Sequence, residues 1–135
     1  MKVIVDTSIW SLALRRGKTP NTSILVELES LISDFRVQLG GPIRQELLSG
    51  IKSDEQFNEL KKYLSSFPDY SIKTEDFVLA AQFFNQCRGK GVQGSNIDFL
   101  ICAIAVNNNW QIFTSDQDFS HFQKIIPIQL YKIKK

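Results

Sequence analysis

The sequence predicts an α/β fold: a three-layer α/β/α sandwich with a mostly parallel sheet of about five strands, built as one domain over residues 1–135. Two observations predict it. Short apolar, β-branched runs alternate with longer segments of helical period, the pattern of strands joined by covering helices. The chain of 135 residues, 43% of them hydrophobic and ten of them Phe, can also bury a core without disulfides. There is no internal repeat, low-complexity tract or linker.

Lys2–Val5 is the first expected strand, followed by a short helix over Ser8–Arg15. Ile24, Leu25, Leu28, Leu31, Ile32 and Phe35 then fall on one face of a second helix, with Asn21 or Thr22 as its cap. Arg36–Leu39 reads as a strand and Gly40-Gly41 as a turn. Pro42 suits the first turn of a third helix, which should run to about Ser49 and stop at Gly50. Ser53-Asp54-Glu55-Gln56 has capping-box spacing, and Phe57, Leu60, Leu64 and Phe67 mark the buried stripe of the helix behind it. Tyr70–Ile72 is a weaker strand. Thr74 would cap a helix with Phe77, Ala80, Ala81 and Phe84 inward, ending at the Gly89–Gly94 breaker region. Ile97–Asn107, apolar nearly all round, should be a central buried helix. Gln111–Thr114 and Ile128–Ile133 complete the strands, with a short helix around Phe119–Gln123 between them.

Composition excludes several chemistries. The one histidine, His121, rules out paired-histidine acid–base catalysis and a His-rich zinc site. A Ser-His-Asp triad would need His121, and no G-x-S-x-G elbow accompanies it. Cys87 and Cys102 form no C-x-x-C pair and read as free buried thiols. No apolar run nears the ~20 residues of a membrane span. The opening Met1-Lys2-Val3-Ile4-Val5-Asp6 has the length of a strand and not of a signal peptide, so a cytoplasmic protein is expected. A net charge of +2 permits nucleic-acid binding without arguing for it. Basic residues bunch at Arg15, Arg16 and Lys18, at Lys61 and Lys62, at Arg88 and Lys90, and at Lys132, Lys134 and Lys135; each bunch is also an ordinary solvated surface. Ile9-Trp10 and Phe83-Phe84 are either partly exposed or, more simply, core.

The acidic residues stand in particular places. Asp6 directly follows the first strand and Asp116 the fourth, and in open α/β sheets ligands bind beyond the carboxyl ends of the strands. Glu46 lies about one turn into the helix entered from the second strand, and Asp98 in the first turn of the buried helix. Each has a structural explanation as well. Asp6 could cap the first helix, Ser95 and Asp98 match a capping box, Asp116 or Asp118 could cap the short late helix, and Glu46 could be solvated. Together they suggest more, since carboxylates that converge must take up protons or a cation. Without nearby histidine or thiolate the suited cation is hard, Mg²⁺ or Mn²⁺, and such a site suits phosphodiester hydrolysis.

The motifs Val3-Ile4-Val5-Asp6-Thr7-Ser8, Pro42-Ile43-Arg44-Gln45-Glu46-Leu47-Leu48-Ser49-Gly50, Ile97-Asp98-Phe99-Leu100-Ile101-Cys102-Ala103-Ile104-Ala105 and Phe113-Thr114-Ser115-Asp116-Gln117-Asp118-Phe119 occur in this order. On them the whole chain resembles the PIN-domain ribonucleases, and within those the VapC-type toxins of prokaryotic toxin–antitoxin pairs. The resemblance implies Mg²⁺- or Mn²⁺-dependent cleavage of RNA to 5′-phosphate and 3′-hydroxyl ends. It also implies a homodimer and a cognate antitoxin that blocks the acidic site. Asp6, Glu46, Asp98 and Asp116 fall on the family's acidic positions. Asp6, Asp98 and Asp116 would bind the metal, while Glu46 would complete the shell or position water. Ser8 and Thr114 match neighbouring hydroxyl positions, where a side chain could hold a carboxylate or a metal-bound water, and Asp118, the second acid of the terminal T-x-D-x-D-F pattern, would stand either at the metal or one shell further out. Ser8 stands where many relatives carry Asn, and Phe99 and Cys102 where they often carry smaller residues.

Two other readings compete. A haloacid-dehalogenase-like phosphatase needs an Asp at position 8, where Ser8 stands, and a receiver domain needs an acidic pair and a phosphoacceptor that Asp6-Thr7-Ser8 and Ser71–Thr74 do not supply. A catalytically silent module of the same fold, binding RNA or protein, would usually have lost one or more of the acids.

Overall fold

A computed structural model of the chain describes residues 1–14 and 22–133. The Arg15, Arg16 and Lys18 bunch, Asn21 as a cap, the capping side chain of Thr22, and Lys134 and Lys135 lie outside the described residues. In order, the described elements are β1 (Val3–Val5), α1 (Thr7–Ala13), α2 (Thr22–Ser33), β2 (Val37–Gln38), α3 (Gly41–Leu48), α4 (Asp54–Leu64), α5 (Thr74–Gly89), α6 (Asn96–Asn108), β3 (Gln111–Phe113) and α7 (Asp118–Gln123).

The expected α/β fold with a parallel sheet is present, but the sheet is narrower than expected. Among the described residues it has three strands in the order β2-β1-β3, all parallel. Val3, Ile4 and Val5 have no exposed surface, as befits a central strand covered on both faces. Of the segments expected as outer strands, Tyr70–Ile72 forms no bridge, its neighbour Asp69 pairing with Leu39 instead, and Ile128–Ile133 keeps one, Ile112↔Leu130, both bridges being parallel. A proline precedes each: Pro68 and Pro127 lack the amide hydrogen that would extend a ladder. The later segment is therefore held through one residue of β3, with Ile112 N–H donating to the Gln129 carbonyl and Tyr131 N–H to that of Ile112.

The caps follow local chemistry. Ser53 Oγ accepts from Gln56 N–H at the start of α4, and Pro42 lies in the first turn of α3. Arg44 of α3 holds the end of α4, donating to the Leu64 and Phe67 carbonyls (3.0 and 2.6 Å) and to Asp69 Oδ1 at 2.9 Å. Trp10 is wholly buried with Ile9, and its indole N–H donates to the Val5 carbonyl. Those two residues are therefore core. Cys87 and Cys102 are free and buried, as expected.

Three expected stripe positions are wrong. Phe35 is 90% exposed. Helix α2 ends at Ser33, and Phe35 adopts φ 56 in the turn, which swings its ring off the helix face. Phe77 and Ala81 are also exposed, because the buried face of α5 is Asp76, Ala80, Phe83 and Cys87. Lys73, not Thr74, is the cap residue. Asp76 is drawn inside by three donors: Tyr70 Oη at 3.0 Å, Lys73 N–H at 2.9 Å and Asn107 Nδ2 at 2.7 Å. Burial works to raise its pKa, but these bonds prevail and hold it below the ordinary carboxylate value. No helix among the described residues is long and apolar enough to cross a membrane.

Candidate metal centre

The parallel register brings the carboxyl ends of β1 and β3 to one edge of the sheet, so Asp6 and Asp116 emerge side by side. Helix α6 leads into β3 and therefore begins over the same edge, which places Asp98 there. Helix α3 follows β2 on the other side of β1 and packs against α1, supplying Glu46.

Asp6 is 94% buried, with 6% of its surface exposed. It serves as the cap of α1, its side chain accepting from Ser8 N–H. The same oxygen, Oδ2, accepts from Ser8 Oγ and Thr114 Oγ1, each at 2.9 Å. The two hydroxyls stand 3.2 Å apart. Ser115 N–H donates to Ser8 Oγ and Asp116 N–H to Thr114 Oγ1, both at 3.0 Å. Ser8 and Thr114 thus lock the turn after β1 to the turn after β3, and both fix the Asp6 carboxylate. Asp116 Oδ1 accepts from Asp118 N–H at 2.9 Å and opens α7. The Asp118 carboxylate is exposed and makes no hydrogen bond among the described residues; only its amide touches the group.

Asp98 forms the capping box read in the sequence: its N–H donates to Ser95 Oγ at 3.0 Å, and Ser95 N–H donates to its Oδ2 at 3.3 Å. Burial pushes the Asp98 carboxyl upward; the Ser95 bonds oppose this, and the charges of Asp6 and Asp116 add to it. Glu46 is raised as well, by partial burial and then by Asp6 and Asp98, while Thr7 works the other way. Asp98 thus feels the charges of Asp6 and Asp116, and Glu46 those of Asp6 and Asp98, which puts the four in one neighbourhood. Among the described residues no Lys or Arg forms an ion pair with any of them.

Thr7 was not legible as a site residue. Its Oγ1 is buried and makes no hydrogen bond of good geometry, yet it stands near enough to Glu46 to favour the charged carboxylate. Its only sequence signal is its place between Asp6 and Ser8.

The donor set fits a hard divalent cation: all oxygen, mutually repelling, and uncompensated by any Lys or Arg among the described residues. As placed, no three of these side chains among the described residues stand at ligating spacing. Asp98 is instead turned back into its capping box.

Comparison with known proteins agrees with this architecture. The family model described as PIN domain matches residues 3–125. Ribonuclease VapC11 of Mycobacterium tuberculosis is 29% identical over 132 residues, covering 94% of this chain and 96% of its own length. FitAcB from Neisseria gonorrhoeae has the same fold, with a TM-score of 0.78 at 20% identity over 96% of each chain. So has VapBC2 from Rickettsia felis bound to a DNA fragment from their promoter, with a TM-score of 0.78 at 20% identity over 97% of this chain and 98% of that one. A match over nearly the whole chain, on a scaffold that gathers the acids at one sheet edge, places this protein in the PIN domain family.

Proposed function

We propose that this chain is an endoribonuclease dependent on Mg²⁺ or Mn²⁺, acting as the toxin of a toxin–antitoxin pair in the cytoplasm, with residues 1–135 as one nuclease domain. The observation that carries the reading is the placement of Asp6, Glu46, Asp98 and Asp116 about one sheet edge, with no basic partner among the described residues, beside a fixed pair of hydroxyls. The likeness to the VapC ribonuclease supports RNA as substrate, and the VapBC neighbour supports an antitoxin partner. A homodimer accords with the same family.

In this reading Asp6, Asp98 and Asp116 hold the cation. When bound, it supplies an acidified water and neutralises phosphate charge. Ser8 and Thr114 keep the Asp6 carboxylate from rotating, so one oxygen is always presented. Glu46 is the most exposed of the four and its carboxyl the least committed to hydrogen bonds; it positions the attacking water and takes up its proton. Hydrolysis then leaves 5′-phosphate and 3′-hydroxyl ends.

The test is a panel of end-labelled structured RNAs incubated with antitoxin-free protein in Mg²⁺, Mn²⁺ or EDTA, beside Asp98→Asn. Discrete cuts that need metal and vanish in the variant are expected. A wild-type protein that neither cuts nor binds Mn²⁺ would instead be a silent binding module.

A further inference from the structure

The connection between α5 and α6 encloses a cavity of about 170 Å³, lined by Phe84, Arg88, Val92, Gln93, Gly94 and Phe99. We propose that this cavity is a nucleobase subsite, seating one base of the RNA next to the phosphodiester held at the acidic cluster. The proposal rests on the ribonuclease reading above and adds the element that would read sequence.

The cavity is too small for a drug-sized ligand, whose pockets run to about 300–1,000 Å³, and suits one flat heterocycle. Its shape is set by the backbone. Gly91, with φ 77, ends α5 in a left-handed turn, and Val92 N–H donates to the Cys87 carbonyl at 2.9 Å. Gly94 then passes so close to the aromatic floor that a Cβ would lie 2.5 Å from Phe122 Cζ and 3.0 Å from Phe99 Cε2.

The walls have the chemistry that unpaired bases need. Single-stranded RNA is read by stacking bases on aromatic rings or Arg guanidinium planes and by hydrogen bonds to their edges. The Arg88 guanidinium lies 5.9 Å over the Phe84 ring, a flat cationic platform. Phe84 in turn meets Phe99 edge-on at 5.6 Å. Gln93 is exposed at the rim, and its carboxamide offers both donors and an acceptor to a base edge.

Position ties the cavity to the chemistry. Gly94 is followed by Ser95, whose N–H donates to Asp98 Oδ2. One residue, about 3.8 Å of chain, separates the cavity wall from the turn that carries a candidate ligand.

The experiment compares wild type, Arg88→Gln and Gln93→Ala on a randomised RNA library with Mn²⁺, sequencing the cut ends and separating kcat from KM. Wild type should show a base bias at one position flanking the cut. Gln93→Ala should lose that bias, and Arg88→Gln should raise KM about tenfold while kcat changes less than about twofold, in line with loss of one stacking platform. Unbiased cutting by wild type, or unchanged bias and KM in both variants, overturns the subsite while leaving the ribonuclease reading intact. If wild type cuts nothing, that reading fails, and the cavity is tested alone by titrating the four nucleoside 5′-monophosphates into metal-free protein by amide NMR. Shifts centred on residues 84–99 would sustain the subsite, and their absence would overturn it.

Discussion

Gly94→Ala tests whether the turn before Asp98 is held by packing. The new Cβ would sit 2.5 Å from Phe122 Cζ and 3.0 Å from Phe122 Cε1 and Phe99 Cε2. Neither ring can yield cheaply. Phe122 is fully buried and Phe99 almost so, and their centroids are 4.7 Å apart, with Phe119 a further 5.3 Å from Phe122. Overpacking of this kind costs about 1–3 kcal/mol. Replacing glycine also lowers unfolded-state entropy, which returns about 0.4–1 kcal/mol where the backbone tolerates alanine. Gly94 has no positive φ, so that return applies here. At the midpoints of these ranges the net loss is about 1.3 kcal/mol, or a fall in Tm of roughly 3–8 °C for a chain of this size. Thermal and urea unfolding in EDTA measure it. Gly89→Ala is the control, since nothing lies within 4 Å of its Cβ; it should be neutral or slightly stabilising. A Gly94→Ala protein as stable as wild type would refute the close approach.

Other expectations follow from the same geometry. Asp76→Ala should destabilise by about 3 kcal/mol, because it strands three donors around a buried site; urea unfolding checks this, and a loss below about 1 kcal/mol would contradict it. The raised Asp98 carboxyl gives metal-free protein a pH dependence of known sign. The folded state holds the extra proton, so this contribution is intact below the ordinary carboxylate pKa of about 3.9 and is lost as pH rises through the higher folded value. Asp98→Asn should therefore gain on wild type in EDTA as pH rises above about 4, and a constant difference would oppose the coupling. Thr7→Val should lower kcat about tenfold with little change in KM or Tm, and Thr7→Ser should restore it, if the hydroxyl orients Glu46; equal activity of Val and Ser variants would remove that role.

The sequence carried the centre of the site because topology fixes it. Residues that follow parallel strands share one edge, so Asp6 and Asp116 could be paired from their positions alone. Asp98 stands out as a carboxylate opening a helix with little polar surface, and Ser8 and Thr114 match the hydroxyl positions of the family the chain resembles. What escaped depends on packing between distant segments. The outer strands expected at 70–72 and 128–133 have the right residues, but pairing stops at Asp69 before the first and keeps only Leu130 of the second. The stripe of α5 was misjudged because a buried Asp76 does not look apolar; its three donors come from positions 70, 73 and 107. Phe35 looked like the next position of a periodic face, and only the turn at Asp34 takes it away. Thr7 and Gln93 have no local signature at all.

The central claim is that the four carboxylates form a divalent-cation site. Calorimetric titration of Mn²⁺ into wild type and Asp98→Asn at pH 7 tests it most directly. Saturable binding by wild type that is lost or strongly weakened in a folded Asp98→Asn protein is the expected result. Equal binding by the two proteins, or no binding by a folded wild type, would contradict it.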